Sequence, residues 1–177
     1  MIFMGAPAPG RLRIAAVLAA CAVLTLGPAP AYALDAEFVG PLTALARGAL
    51  QEIAANPVLV EAVLAQNETT AAYDQARIDA LDAQWRAEVD AAARPLIQAT
   101  LDSAASRYLV GVQEQSAGQF TEIFATDARG LNVAQSAITS DYWQGDEEKF
   151  TETFPLGAAA VFLGEVEEDE STQTFQS

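Results

Sequence analysis

The apolar positions of residues 35–118 recur three or four residues apart, which is the spacing of one face of a helix. The first series predicts an amphipathic helix that begins after Asp35, with a stripe formed by Phe38, Leu42, Leu45, Ala49 and Ile53. Gly40 and Pro41 fall within this stripe. Because proline has no amide proton and a fixed φ, we expect this pair to shift the start of the helix or to kink it.

Cap residues divide the rest of this half of the chain. Asn56 followed by Pro57 is typical of an N-cap with proline at the first helical position, and it predicts a short helix that ends near Leu64. Residues 67–70 are expected to form a loop. Asp74 is a candidate cap for the next helix, whose stripe is Ile78, Leu81, Trp85 and Val89.

A last helix is predicted from Pro95 to about Gln115, with Gly118 as its natural stop. Its apolar stripe is Ile97, Leu101, Ala104, Tyr108 and Val112. All four stripes are interpreted as faces that pack against a common core. Trp85 and Tyr108 lie on these stripes and are interpreted as packing residues.

After Gly118 the pattern changes to that of a sheet. Residues 120–126 are rich in strand formers, residues 127–130 (Asp-Ala-Arg-Gly) are typical of a turn with glycine in the left-handed conformation, and residues 131–136 alternate. Two further strand candidates, residues 160–166 and 172–176, flank an acidic turn at 167–170. The pattern therefore predicts an α+β fold, with a helical part at 34–118 and a sheet part at 119–177.

The first 33 residues have the three parts of an export signal. Arg11 and Arg13 supply the positive start, residues 14–26 supply an uncharged apolar core, and Ala-Tyr-Ala at 31–33 is a small-x-small cleavage site. An apolar run of this length is shorter than the roughly 20 helical residues that span a bilayer. We expect cleavage after Ala33, and a periplasmic or secreted protein.

A second interpretation of the leader remains open. Leu-Ala-Ala-Cys at 18–21 fits a lipoprotein acylation box, and Cys21 is the only cysteine of the chain. The residues after Cys21 stay apolar as far as Leu26, however, whereas a lipid-anchored protein usually continues with a polar tether. Cleavage after Ala33 would leave a chain without cysteine, and therefore without disulfides or thiol chemistry.

The charge of the chain excludes several kinds of partner. Loss of Arg11 and Arg13 leaves seven basic residues against 24 acidic ones, a net charge of −17. Nucleic acids and anionic lipid surfaces are bound through clustered lysine and arginine, so neither is an expected partner, and no stable membrane insertion is expected. The acidity itself is that of a well-solvated exported protein.

Residues 139–150 (TSDYWQGDEEKF), hereafter the aromatic-acidic segment, set two large aromatic residues, several carboxylates and a lysine beside a glycine. In one interpretation Tyr142 and Trp143 line a ligand cavity, since each joins an apolar face to a hydrogen-bond donor. In the other, Trp143 only fills the junction between sheet and loop. Asp146 is a candidate helix cap, and Phe150 and Phe154 follow it one helical turn apart.

Catalysis is not expected. The chain has no histidine, so it lacks the commonest general base and the commonest zinc ligand. Asp141 and Asp146 are carboxylates of the kind that glycosidases use, but neither lies in an apolar setting that would raise its pKa. The acidic run at 165–170 could offer oxygen ligands to calcium, but it lacks the alternating spacing and the glycine of a dedicated calcium loop. No cofactor or metal is expected.

Two stretches carry a resemblance to a known family. The runs ATDARGLNVAQS (125–136) and TSDYWQGDE (139–147) resemble extracytoplasmic PDC or Cache sensor domains, more narrowly small secreted bacterial proteins with one such domain and no attached kinase or chemoreceptor module. EDESTQTFQ (168–176) is similar to the same group. The resemblance is close over the second half of the chain and holds only in outline over the helical half.

The resemblance implies a PAS-like sheet after long N-terminal helices, with a small-molecule pocket over one face of the sheet. The segment after the second strand covers this pocket in such domains. It implies Tyr142, Trp143 and Asp146 as candidate ligand contacts, with Asp141 and Lys149 near the rim. The Arg-x-Trp-Tyr arrangement that grips amino-acid carboxylates in better-known Cache sensors is absent, so an amino-acid ligand is not implied.

The strand count departs from the family. The family's sheet has five strands in the order 2-1-5-4-3, whereas four candidates can be counted here, the last of which reaches the final residues of the sequence. We therefore expect either that the sequence is a fragment or that the fold closes in another way. In the first case an open sheet edge is expected beside residues 120–126.

The leader generates the first testable prediction. Intact-mass analysis of exported protein is expected to give a chain that begins at Leu34 and carries no lipid, because the small-x-small site precedes that residue. A diacylated cysteine at position 21 would contradict both the cleavage site and the expectation of an unanchored protein.

Overall fold

Helices form the first part of the protein and a small antiparallel sheet follows them, so the predicted α+β class is confirmed. The computed structural model describes residues 2–5, 36–164, 167–169 and 174–176. The predicted leader core, Cys21 and the cleavage site lie outside these residues. No helix within the described ranges is long and apolar enough to cross a membrane.

The first predicted helix is present as a continuous helical stretch of three pieces. They are α1 (Ala36–Leu45), a π-helical turn (Ala46–Leu50) and α2 (Gln51–Ala54). Pro41 lies inside α1, where the sequence predicted an irregularity. Ile53 is buried in the core, with Leu45 and Ala49 packed beside it, as the apolar stripe predicted.

Helix α3 (Pro57–Thr70) begins as predicted but is longer. The Asn56 side chain accepts a hydrogen bond from the Val58 amide at 3.0 Å, which makes it the N-cap. The prediction of a loop at 67–70 is wrong, because these residues form the last turn of α3. Asn67 and Thr70 bond to the hairpin that follows much later in the chain, and this tertiary contact holds the turn helical.

Helix α4 (Gln75–Val89) confirms its prediction, and Asp74 caps it by accepting from the Arg77 amide at 2.9 Å. The single helix predicted from Pro95 to Gln115 is wrong, since α5 (Pro95–Leu101) and α6 (Ala104–Gln115) are separate. Ser103 is the N-cap of α6.

The break between α5 and α6 is stabilised by buried polar contacts. The Ser106 hydroxyl donates to the Thr100 carbonyl at 2.7 Å and accepts from the backbone N–H of Gln135 at 3.0 Å. It therefore ties the end of α5 to the sheet. Gly118 has φ of +86° beyond the end of α6, as its predicted role as a stop requires.

The hairpin confirms its prediction. Strand β2 (Glu122–Thr126) pairs antiparallel with β3 (Asn132–Gln135), Phe124 lies opposite Gln135, and Ala125 lies opposite Ala134. Gly130 has φ of +81°, the left-handed conformation expected for the turn. The pairing register shifts next to Thr126, which marks a bulge.

Both faces of β3 are covered, although the sequence of residues 131–136 alternates. All four residues of the strand are buried. Ala125 and Ala134 face α6 and pack in a cluster with Leu109. The opposite face carries Phe124, and the Lys149 ammonium lies 5.4 Å from the centre of that ring.

A third strand lies on the other edge of β2. Strand β1 (Ile2–Gly5) pairs antiparallel with it, with Phe3 opposite Phe124, so the sheet order is β1-β2-β3. In the full chain, a segment of the predicted leader thus occupies the edge beside residues 120–126. The expectation of an open edge for residues 34–177 alone stays a prediction.

The chain after β3 contains short elements. They are α7 (Glu148–Thr151), a 3₁₀ turn (Phe154–Leu156) and a separate pair of strands, β4 (Glu167–Asp169) and β5 (Thr174–Gln176). The strand predicted at 160–166 is absent over the described residues 160–164. The predicted acidic turn is also wrong, since Glu167–Asp169 is itself a strand.

Asp146 is not a helix cap, because Glu147 occupies the N-cap position of α7 and Asp146 is exposed. The predicted neighbours Phe150 and Phe154 do meet, with ring centres 4.9 Å apart and nearly parallel.

The core itself lies in two clusters on the helical side. One surrounds Ile123, and the other surrounds the fully buried Trp85. Trp85 is therefore a core residue, and Tyr108 packs at the margin of the first cluster, as predicted.

Glu88 joins α4 to α5. Its carboxylate accepts from the amides of Leu96 and Ile97 at 2.8 and 3.0 Å, and from the Gln84 side chain at 2.7 Å. Burial alone would raise the pKa of Glu88, but the hydrogen bonds from Gln84 and from the two amides outweigh it, so that the pKa lies below its usual value.

Replacement of this carboxylate gives a prediction about stability. Glu88→Gln is expected to lower the free energy of unfolding by about 1–3 kcal/mol at neutral pH, because charged acceptors form the stronger hydrogen bonds. A lowered folded-state pKa contributes stability above the ordinary glutamate pKa and loses it as the pH falls through the folded value. Urea unfolding should therefore show the difference between the two proteins shrinking in acid.

The control is Glu61→Gln, since Glu61 is an exposed residue of α3. It should change stability little at any pH. An equal loss in both variants would contradict the capping role of Glu88.

Candidate functional site

The aromatic-acidic segment runs antiparallel beside the start of β3. The backbone N–H of Asn132 donates to the Tyr142 carbonyl at 2.9 Å, and the backbone N–H of Gln144 donates to the Gly130 carbonyl at 2.8 Å. Leu131 and Trp143 form an isolated bridge between these two bonds. The backbone of the segment is thus held to the hairpin by two hydrogen bonds, one on each side of Trp143.

Asp82 of α4 fixes the same backbone from the other side. One oxygen of its carboxylate accepts from the amides of Tyr142 and Trp143 at 2.9 and 3.1 Å, and the other accepts from the Arg86 side chain at 2.7 Å. The sequence analysis did not identify Asp82. Its sequence position on a helix, next to Leu81 of the apolar stripe, gives no sign of a partner 60 residues away.

Tyr142 is only 7% exposed and belongs to the core. Its ring stacks on Trp85, with ring centres 5.2 Å apart and planes inclined by 22°. Burial, with a smaller contribution from the charge of Asp127, raises the pKa of Tyr142 to about 12. The phenol therefore stays protonated, and it remains a hydrogen-bond donor at every physiological pH.

Trp143 closes the hairpin turn. Its indole N–H donates to the Arg129 carbonyl at 2.8 Å. The ring lies so close to Gly145 that a Cβ built there would be 2.3 Å from the indole nitrogen, and a Cβ on Gly130 would be 2.6 Å from Gly145. Two glycines are thus needed for this packing. Trp143 packs at the junction of hairpin and loop, and its half-buried ring retains some exposed surface, so both interpretations of this residue stay open.

The three remaining candidate residues have different surroundings. Asp141 is half-buried, accepts from the Gln144 side chain, and lies 3.6 Å from an Arg86 nitrogen. Asp146 is exposed. Lys149 is half-buried against the ring of Phe124. Asp141 and the two aromatic residues therefore meet α4, whereas Lys149 contacts the sheet.

The hairpin turn holds a buried carboxylate that the sequence analysis treated only as turn chemistry. Asp127 is 1% exposed. One oxygen accepts from the Arg129 and Leu131 amides at 2.8 and 3.0 Å. The other accepts from Thr70 and Gln66 at 2.8 and 3.1 Å. Gln66 also donates to the carbonyls of residues 131 and 132, so α3 and the hairpin share one network.

Only some of the charged groups of the aromatic-acidic segment are left accessible. Among the described residues, no three acidic, histidine or cysteine side chains are grouped so that they could hold a metal ion. Asp141 is occupied by Arg86 and Gln144. What the segment offers a ligand is the exposed part of Trp143, the carboxylate of Asp146 and the ammonium of Lys149. Their role as ligand contacts stays a prediction.

The close contact between Gly145 and Trp143 predicts an effect on stability. Gly145→Ala is expected to cost about 1–3 kcal/mol of unfolding free energy, because the new Cβ overlaps the indole ring and must displace it. The displaced ring also loses its bond to Arg129, which should change the tryptophan fluorescence. Urea unfolding followed by that fluorescence measures both effects.

The matched control is the same substitution in α6. A Cβ on Gly111 meets only the end of the Gln115 side chain at 3.8 Å, so Gly111→Ala should stabilise by about 0.5–1 kcal/mol. A Gly145→Ala variant as stable as the parent, with unchanged fluorescence, would show that the ring is not confined there.

Comparisons of the chain with family models, curated proteins and solved structures gave no match. The case for a function therefore rests on the residues of this chain, on the site just described, and on the resemblance carried by residues 125–136 and 139–147.

Proposed function

We propose that this protein is an exported, non-enzymatic sensor-type domain of the PDC or Cache kind, which binds a small organic molecule. The observation that carries the proposal is the cover over the sheet. Helices α3, α5 and α6 contact the hairpin, and Lys149 of the short helix α7 lies over Phe124 on the face opposite Ala125 and Ala134. A charged side chain over an aromatic ring, with a buried amide opposite that ring on the same face of the sheet, suits a ligand site.

The rigid frame beneath the cover also supports the proposal. The aromatic-acidic segment is anchored by backbone bonds to the hairpin and by Asp82 to α4. A recognition site needs such a preformed frame, because ordering loose residues on binding would reduce the affinity. Trp143, Asp146 and Lys149 are the proposed contacts that keep accessible surface, with Asp141 and Tyr142 supporting them. The signal passes to a separate partner, for which a membrane-bound signalling protein is the proposed class.

A second candidate function is favoured by the pairing of β1. Strand β2 is flanked by a four-residue strand that belongs to the predicted leader. Removal of residues 1–33 would leave the backbone groups of that edge free to pair with a strand of another chain. The alternative is therefore a structural or interaction protein that completes its sheet in this way and binds no small ligand.

A thermal-shift screen separates the two functions. Residues 34–177 are screened against organic acids, amino acids, amines and purines. A ligand that binds only the folded state raises the melting temperature in a concentration-dependent manner. At a ligand concentration a hundredfold above Kd, the free energy of unfolding increases by about 2.7 kcal/mol. The sensor function predicts such a compound, and predicts that Trp143→Ala abolishes its effect.

The control variant is Leu59→Ala, which removes buried side-chain volume from the first core cluster, away from the aromatic-acidic segment. It should lower the melting temperature and keep the ligand-induced rise. Silence of the parent protein across the whole screen, together with self-association of residues 34–177, favours the interaction protein instead.

A further inference from the structure

Gln135 is a fully buried side chain whose hydrogen-bonding groups are unused. It is 0% exposed, and within the described part of the chain neither its amide oxygen nor its amide nitrogen has a hydrogen-bond partner. Only its backbone is engaged, through the bond to Ser106. The large majority of buried polar groups in proteins have a hydrogen-bond partner, so an amide left without any partner requires an explanation.

The register of the hairpin sets the face on which this amide lies. Gln135 is directly opposite Phe124, and residues opposite each other in an antiparallel pair project from the same face. The neighbouring pair, Ala125 and Ala134, faces the helices. Gln135 therefore projects from the other face, on which Lys149 covers Phe124. This is the face proposed above for the ligand.

The chemistry of the amide restricts the ligand. A glutamine side chain presents one acceptor beside one pair of donor hydrogens. A carboxylate would engage only the nitrogen, and an ammonium group only the oxygen. A carbonyl with an adjacent N–H engages both at once, through two parallel hydrogen bonds.

The local charge points the same way. Lys149 is the only lysine of the chain, and four acidic residues lie within three positions of it, namely Asp146, Glu147, Glu148 and Glu152. The formal charge of residues 146–152 is thus −3, and the whole chain is acidic. An anion would be repelled from this cover. Because an ammonium group would engage only one of the two amide groups, the two arguments together favour an uncharged ligand.

We propose that Gln135 is the recognition group of a buried site for a small neutral molecule with an amide edge, meaning a carbonyl beside an N–H, as in lactams, carboxamides and nucleobases. This proposal rests on the ligand-binding function proposed above and names the ligand class. Entry requires the α7 segment to shift, because Lys149 covers the cross-strand neighbour of Gln135.

The experiment uses small ring compounds as probes. Thermal shifts of the protein are measured with 2-pyrrolidinone and uracil, which have the amide edge. The comparison probes are cyclopentanone, which lacks the N–H, and pyrrolidine, which lacks the carbonyl. The expected result is a saturable rise in melting temperature with the amide probes alone. In the unmutated protein, the side-chain NH₂ resonances of Gln135 should shift with the same probes.

The central variant is Gln135→Met, which keeps the length of the side chain and removes both unpaired groups. It is expected to melt at a higher temperature than the parent without a probe, and to lose the response to amide probes. Gln119→Met, at an exposed position beyond α6, should leave both properties unchanged. If Gln135→Met does not fold, the proposal is tested by the unmutated protein alone, in which the amide probes should shift the side-chain NH₂ resonances of Gln135.

Three outcomes would overturn the inference. Silence of both amide probes with unmoved Gln135 resonances would mean that the Gln135 amide does not bind a ligand. A response that survives in Gln135→Met would place the ligand elsewhere. A response confined to charged compounds in the broader screen would refute the ligand class and leave the binding function intact, whereas silence in every screen would refute the binding function itself.

Discussion

The buried carboxylate of Asp127 is the interaction on which the arrangement of helices and sheet depends. Removing a charge from water is costly unless the charge is fully hydrogen-bonded, and here four donors converge on the two oxygens. Two of these donors are amides of the turn itself, and the other two come from α3. The same group therefore shapes the hairpin and holds it to the helical layer, so neither part can shift without leaving a charge unpaired.

The candidate site inherits its geometry from that turn. The carbonyl of Gly130 accepts from Gln144, and the carbonyl of Arg129 accepts from the Trp143 indole, so the turn supplies the acceptors that position the aromatic-acidic segment. Asp82 supplies the acceptor on the opposite side. The segment is thus held between α4 and the hairpin, which accounts for the burial of Tyr142 in a loop that the sequence alone could not place.

Local signals in the sequence predicted the elements that depend on local physics. Asn56 and Asp74 are caps because their side-chain oxygens satisfy amides two or three residues away, and Gly130 is in the left-handed conformation because the turn requires it. Two of the failures share one cause. The last turn of α3 and the break after α5 both involve partners far away in sequence, Asn67 with Ala128 and Ser106 with Gln135.

The contrast between two glutamines shows where function can enter such a framework. Gln66 lies between α3 and the hairpin, whereas Gln135 projects from the opposite face of the sheet. The Gln66 amide nitrogen donates to three oxygens of the hairpin, so its cost of burial is offset by the contacts that hold the fold. Gln135 is more completely buried and its side chain contributes no such bond within the described residues. Folding alone gives no reason to keep an amide there, since methionine would fill the same space without unpaired groups. A polar group that stability does not require is typical of residues that are retained for recognition. Gln135 lies on the face of the sheet that Lys149 covers, so the unpaired amide and its cover belong to one site.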